Sequence, residues 1–331
     1  MKRMLFSFAV VGMLAVAASA DTSSTVSGNT FGDYYWFAGN HDPSVEDQNG
    51  LWMRRVYLTY DMKKSDNVSL RFRLESGSPG VGTTGTMVPF AKDAYLKWTP
   101  GGGGRTVYIG LSGAPTFTGV EEAWGYRHLE KTPVDLYKLG STRDFGVGVK
   151  HKVSEKLDLH LMIGNGNSTG AETNKGKKYM ASAGLALTDD FTVRGNFDFD
   201  DQAGEVTVMT AQVLLYQTTD SYRWGLQYVI NNQDNGTTDQ SVNVASGYVV
   251  FKLNEGTAVV ARVDALLDKN PNVGGGYLPL VATSKHTLIL AGLDFSPEEN
   301  FHIIPNAEIV IYDQNGEDTD IVPRVTFSYT F

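Results

Sequence analysis

Cysteine is absent from the 331 residues, so crosslinks do not hold this fold together. Long hydrophobic runs are almost absent too. A membrane-crossing helix needs about 20 apolar residues, and the single long apolar stretch, Leu5 to Ala18, is shorter than that and sits at the N-terminus. The mean hydropathy is −0.21, which excludes a multi-helix membrane protein. Basic runs are missing as well. With a formal charge of −9 the chain repels phosphate backbones, which argues against nucleic acid as a partner. There is no Pro-rich or Ser-rich linker and no shift of composition that would mark a domain boundary.

What is present begins with a leader-like layout. Lys2 and Arg3 precede the apolar stretch, and the small residues Ala18, Ser19 and Ala20 precede Asp21. This is the arrangement of a cleaved secretory signal, so 1–20 is expected to be removed and 21–331 to form one domain. Loss of Lys2 and Arg3 makes the mature chain more acidic by two charges.

From there the dominant signal is a period of two, in segments of about 9 to 13 residues punctuated by Gly, Asn, Asp, Ser and Pro, the mark of half-buried strands. In 191–200, Phe191, Val193, Phe197 and Phe199 share a face with Gly195, opposite Thr192, Arg194, Asn196, Asp198 and Asp200. Val68, Leu70, Phe72 and Leu74 likewise oppose Ser69, Arg71, Arg73 and Glu75, and Val325, Phe327, Tyr329 and Phe331 oppose Arg324, Thr326, Ser328 and Thr330. The pattern predicts strands at 29–39, 50–62, 67–76, 91–99, 105–112, 142–153, 156–165, 177–188, 190–200, 205–217, 221–231, 241–253, 256–267, 285–296, 300–312 and 319–331. That is roughly sixteen, an even number as single-chain outer-membrane barrels have. Every second connection is a tight turn, and the others include long polar loops, as in such barrels. A soluble β-protein would show the same alternation. Closure favours the barrel, because in hydrocarbon an unpaired backbone N–H or C=O costs several kcal/mol and a closed sheet has no edge. The expected class is all-β, a transmembrane antiparallel β-barrel, with an aromatic girdle of Tyr60, Trp98, Phe191, Tyr222, Trp224, Phe251, Phe295, Phe301, Tyr329 and Phe331 at the short-turn rim.

The leader, the sixteen alternating segments and the terminal Val325-Thr326-Phe327-Ser328-Tyr329-Thr330-Phe331 resemble a Gram-negative outer-membrane porin over the whole mature chain. Ala94-Tyr95-Leu96-Lys97-Trp98, Tyr108-Ile109-Gly110 and Arg143-Asp144-Phe145-Gly146 are similar to the phosphate-selective porin O and P family. The resemblance implies outer-membrane residence among lipid and lipopolysaccharide, a homotrimer, and recognition of Tyr329 and Phe331 by the barrel-assembly machinery.

Sixteen strands leave an aqueous channel, so the residues of interest are those that narrow it. The longest connection, 113–142, follows the fifth strand and is expected to fold inward as a constriction loop. Its middle, 120–131, has helical character between Pro115 and Pro133 and carries Glu121, Glu122, Arg127, His128, Glu130 and Lys131. A charged surface loop outside the pore is the alternative. On the wall, Arg71, Arg73, Arg194, Arg223, Arg262 and Arg324 supply positive charge, with Asp198, Asp264, Asp294 and Glu308 negative. Arg71 and Arg73 share a face, so their repulsion calls for water or an anion between them. Adjacent Arg54 and Arg55 cannot both point inward in a regular strand, which places Arg54 at an interface or a bulge.

The expected function is passive diffusion of small hydrophilic solutes or ions, with phosphate-like anion preference as its finer form. An adhesin or receptor working through its outer loops, or a rim hydrolase, are the alternatives. No cofactor is implied, and no catalysis in the main reading. His41, His128, His151, His160, His286 and His302 lack metal-like spacing. Asp313, Asn315, Glu317, Asp318 and Asp320 form an acidic run that reads as a solvated loop, with weak calcium or lipopolysaccharide-bridging binding as the lesser reading.

Overall fold

The computed structural model describes residues 22–102, 104–202, 206–237, 239–274, 276–313 and 317–331; the leader at 1–20 lies outside them. Sixteen strands form one antiparallel sheet that closes on itself. In chain order they are β1 (Ser23–Trp36), β2 (Asn49–Lys63), β3 (Val68–Ser76), β4 (Phe90–Trp98), β5 (Arg105–Gly113), β6 (Arg143–Lys152), β7 (Leu157–Gly164), β8 (Lys178–Ala186), β9 (Phe191–Asp201), β10 (Thr207–Thr218), β11 (Tyr222–Asp234), β12 (Asp239–Asn254), β13 (Thr257–Leu266), β14 (His286–Glu298), β15 (Phe301–Tyr312) and β16 (Asp320–Thr330).

Each strand pairs with its sequence neighbours, and β1 with β16 from Asn29↔Thr330 to Tyr35↔Arg324. Phe331 completes the seam: its carbonyl accepts from the Gly28 N–H at 2.9 Å and its own N–H donates to the Gly28 carbonyl at 3.0 Å. The Phe331 ring lies where a Cβ on residue 28 would be, so glycine there lets the last residue cover the joint. β1 begins six residues before the expected 29. Ser23 to Ser27 carry little apolar alternation, and it is the ladder to β2, Ser23↔Lys63 onward, that makes them a strand.

The alternating faces sort as the side-chain period requires. Along β9, Phe197 and Phe199 are exposed outside while Arg194, Asn196, Asp198 and Asp200 are buried inside. Of the expected girdle, Trp98, Tyr222, Phe251, Phe295, Tyr329 and Phe331 are exposed on the outer surface, beside the turns 64–67, 99–104, 219–221, 255–256 and 299–300 and the C-terminal seam. Exposed Leu96, Ile109, Val147, Leu161, Val213, Leu226, Val259 and Val263 form an apolar belt above them. So large an exposed apolar band is far beyond what a soluble monomer shows.

Four register shifts break the period among the described strands, two of them near the short-turn rim in the β12–β13 and β14–β15 ladders and two that move charges. Phe31 faces Arg55 and Gly32 faces Met53, so Arg54 is an extra residue. Arg73 faces Asp93 and Leu74 faces Ala91, so Lys92 is another. A bulge puts two residues of one strand against one of its partner, and each of these turns two consecutive charged side chains, Arg54 with Arg55 and Lys92 with Asp93, into the barrel.

Because the belt is lipid-facing, Val213→Arg, in the middle of β10 and 44% exposed, should destabilise the protein by about 2–4 kcal/mol in equilibrium unfolding from lipid vesicles. A soluble surface position tolerates such a change within about 0.5 kcal/mol, and a result that small would refute lipid contact.

Candidate functional site

The connection 114–142 turns into the barrel. Pro115 and Pro133 do not bracket one helix at 120–131; each starts a separate one, α1 (Pro115–Trp124) and α2 (Pro133–Leu136). Proline at the first helical position loses no hydrogen bond and has its φ already set. α1 stops at Gly125, whose φ of 72° gives a left-handed cap with its N–H on the Glu121 carbonyl at 2.9 Å. A side chain there would also run into the Arg223 guanidinium. Apolar Phe117, Val120, Ala123 and Trp124 are buried, and the helix lies against β7 to β10.

Polar wall groups hold this segment across the interior. Asp198 accepts from Thr116 Oγ1 at 3.0 Å, Gln212 donates to the Thr116 carbonyl at 2.7 Å, and Thr210 donates to that of Leu139 at 2.9 Å. Across the barrel, Arg54 pairs with Asp33 at 2.6 Å and donates to the Leu129 and His128 carbonyls at 3.0 and 2.5 Å. Asp33 also accepts from Trp52 and Thr326. Arg324 is paired with Glu308 and lies 3.6 Å from Glu130. Burial alone would raise the Glu130 carboxyl, but Arg324 and Arg54 outweigh it and hold it well below the usual carboxylate range.

The expected wall residues all lie on the inward face but divide into two groups. Arg194, Arg223, Arg262, Arg324, Asp198 and Asp264 do not stand across open water from the loop: they touch it or lie beneath it. Arg223 reaches the Trp124 carbonyl at 3.3 Å. Arg262 is paired with Asp264, donates to the Lys131 carbonyl and lies 5.3 Å over the Trp124 ring. Arg194 packs at Gly119 while binding Ser182 and Asp158. Asp294 accepts from Tyr126 at 2.8 Å. Arg71 and Arg73 do line open space, and their charges are separately compensated. Arg71 makes a two-point pair with Asp61, both bonds 2.8 Å. Arg73 donates to Thr59 at 2.8 Å and lies 3.5 Å from Asp93, which also pairs with Arg143 at 2.6 Å.

Of the expected loop residues, Glu121 and Glu122 face a cavity of about 790 Å³ between the loop and the wall. Glu121 is 3.4 Å from Arg127, itself bound to Asp135. His128 stacks on His302 with centroids 5.2 Å apart. Glu130 is buried among arginines, and Lys131 borders a gap of only about 60 Å³ beside Arg54 and Arg55. The 790 Å³ cavity has six basic side chains, Lys63, Arg71, Arg73, Lys97, Arg143 and Lys150, against four acidic ones, Asp61, Asp93, Glu121 and Glu122. A neighbouring space of about 460 Å³ shares Arg73, Arg143 and Glu121 with it and adds Lys92 and Arg127.

Asp61, Lys92, Asp93 and Lys150 are absent from the expected wall set, and Arg143 enters the sequence reading only through its motif. Four sit on inward phases that could have been read, and Lys92 is inward only through its bulge.

The interior is not uniformly wet either. Phe37, Phe117, Val134, Tyr137, Leu139, Leu278 and Leu280 of three loops pack on Val229, Val242, Val244, Leu266, Leu288, Val310 and Val322 of the wall. Open space lies along β2 to β9, beside β1, β15 and β16 below the loop, and in a further cavity of about 570 Å³ beside Leu139, Asp200 and Asn231. At the long-loop rim, Asp320 is no part of an acidic surface run: it is buried, binding the His41 N–H at 2.7 Å and Tyr312 Oη at 2.6 Å. Asn315 lies outside the described residues, and among those described no group of three or more His, Asp and Glu fits a metal.

The barrel matches solved structures along nearly its full length. An anion-selective porin from Comamonas acidovorans aligns with a TM-score of 0.73 at 9% identity, covering 94% of this chain and all of that one. Salmonella typhi OmpF aligns at 0.67 and 12%, covering 93% and 97%. The outer membrane channel DcaP of Acinetobacter baumannii aligns at 0.64 and 11%, covering 95% and 99%. No family model matches the sequence, so the phosphate-selective resemblance gains no support. No curated protein matches it either. The fold is that of the sixteen-stranded Gram-negative outer-membrane porins.

Arg262 tests the loop anchorage. Arg262→Met leaves the Asp264 carboxylate buried without its cation and should cost about 3–5 kcal/mol in urea unfolding, whereas Arg262→Met with Asp264→Leu should recover most of that loss. Equal instability in the single and double variants would contradict the pairing.

Proposed function

We propose that this protein is an outer-membrane porin, exported by its leader, through which small hydrophilic solutes and ions diffuse passively, with preference for anions. The observation that carries the reading is the open space of about 790 Å³ between an inward-folded loop and a basic wall. Closely facing charges order water and favour polar solutes, while an excess of one sign selects ions. Position inside the channel counts for more than the acidic total, and here the excess is basic. One structure of similar fold, the Comamonas porin, is described as anion-selective, which agrees with this sign. On this reading Glu121, Glu122 and Arg127 narrow the passage from the loop, Arg71 and Arg73 line it, and Glu130, Arg262 and Arg324 fix the loop in place. A homotrimer is proposed because a similar structure is described as a trimer form, and recognition of Tyr329 and Phe331 by the assembly machinery rests on the terminal aromatic strand.

One arrangement favours a hydrolase instead. Ser296 Oγ and the Asp294 carboxylate both lie 3.0 Å from His302 Nδ1, near the short-turn rim. A nucleophile relay needs the serine on one ring nitrogen and the carboxylate on the other. Both converge on Nδ1 here, and Asp294 also holds Tyr126 of the loop, so the trio acts as an anchor. Covalent labelling of Ser296 by a fluorophosphonate would overturn this assignment.

In planar bilayers the purified protein should give stepwise conductance, with a reversal potential displaced toward the chloride Nernst value across a KCl gradient. Arg71→Glu with Arg73→Glu should displace it toward potassium. An unchanged reversal potential would remove both residues from the passage.

A further inference from the structure

Nearly every cation along the open part of the wall is matched by a carboxylate. Arg71 has Asp61, Arg73 and Arg143 share Asp93, and Arg127 has Glu121 and Asp135. Lys97 and Lys150 are the exceptions: both line the 790 Å³ cavity, and among the described residues neither has an ion pair or hydrogen bond. They flank one ring. Lys97 stands directly across the β4–β5 ladder from Tyr108, and Lys150 Nζ lies 5.7 Å from the centre of the Tyr108 ring. Tyr95 meets Tyr108 edge to face at 5.4 Å, and neither phenol has a hydrogen bond. Opposite them, Glu121 is engaged by Arg127, and Glu122 acts on Lys150 only at longer range, so the loop places no carboxylate in direct contact with either ammonium.

The geometry points to a binding subsite for aromatic carboxylates on this wall, the carboxylate between the Lys97 and Lys150 ammoniums and the flat ring against Tyr108 and Tyr95. It deepens the porin reading and rests on it. Two unmatched ammoniums ask for an anion. Inorganic phosphate would satisfy them but make no use of the part-exposed Tyr95 and Tyr108 rings, and a neutral sugar would use the rings but leave the charges without a direct partner. A ligand with both features uses the whole surface, gaining charge-assisted hydrogen bonds and offset or edge-to-face ring contact.

The test has two independent readouts on the refolded full chain. In single-channel recordings benzoate should interrupt the current at concentrations where acetate, phosphate and cyclohexanecarboxylate do not. In saturation-transfer NMR on detergent-solubilised protein, benzoate should bind, and Lys97→Gln with Lys150→Gln should weaken it about a hundredfold, roughly tenfold for each of the two charged hydrogen bonds lost. Tyr108→Leu should abolish the preference for benzoate over cyclohexanecarboxylate, and Lys64→Gln, in the β2–β3 turn, should change neither readout. Equal behaviour of benzoate and acetate, or undiminished binding in the lysine double variant, overturns the subsite. Absence of conductance with benzoate binding intact overturns the pore reading and leaves the subsite standing.

Discussion

The seam between β1 and β16 is the contact on which the rest depends. A sheet in hydrocarbon cannot leave an edge, because each unpaired amide or carbonyl costs several kcal/mol there. Closing the sheet sets everything else. It makes one set of alternate side chains face lipid and the other face a common interior, and with sixteen strands that interior is too wide for wall side chains alone to fill. The last residue takes part directly: Phe331 gives both backbone groups to Gly28 and its ring to the space that glycine leaves open.

A wide interior creates a second problem, which loops solve unevenly. Along β11 to β16 a set of aliphatic side chains points inward among the polar ones, and three loops cover that set with Phe, Val, Leu and Tyr to make an apolar core inside the barrel. Buried charges pin that core. Arg54, Asp33, Glu130, Arg324 and Glu308 form one network joining β1, β2, β15 and β16 to the long loop. Such networks are costly to desolvate and costly to break, which suits a segment that must keep one position rather than add stability. The 790 Å³ cavity lies on the other side, along β2 to β7, where the wall is basic.

The bulges connect strand geometry with that charge pattern. A regular strand would send one of Arg54 and Arg55 into lipid, at a cost of about 2–4 kcal/mol at mid-depth. One extra residue removes the penalty, and it supplies one arginine for the loop carbonyls and another for Glu75. Lys92 and Asp93 repeat the device one hairpin later, serving Glu75 and the pair Arg73 and Arg143.

The alternation by itself determined the class, the strand number, the boundaries of most strands to within two or three residues, and which face of β3, β9 and β16 looks outward, because a period of two is a property of each strand alone. The adjacency of Arg54 and Arg55 even disclosed a bulge. Tertiary structure decided the rest. Where apolar residues occur on both faces of a strand, as on β12 and β13, periodicity carries no sign of whether the interior is wet. Whether an inward arginine meets water or a loop carbonyl depends on where a segment more than a hundred residues away comes to rest, as with Arg262 and Lys131. Proline positions marked helix starts, yet the stop at Gly125 depended on a left-handed turn lodged against Arg223. Charge matching is a pairwise property in space, so only the folded barrel separates Arg71, neutralised by Asp61, from Lys97 and Lys150, which stand unmatched beside Tyr108.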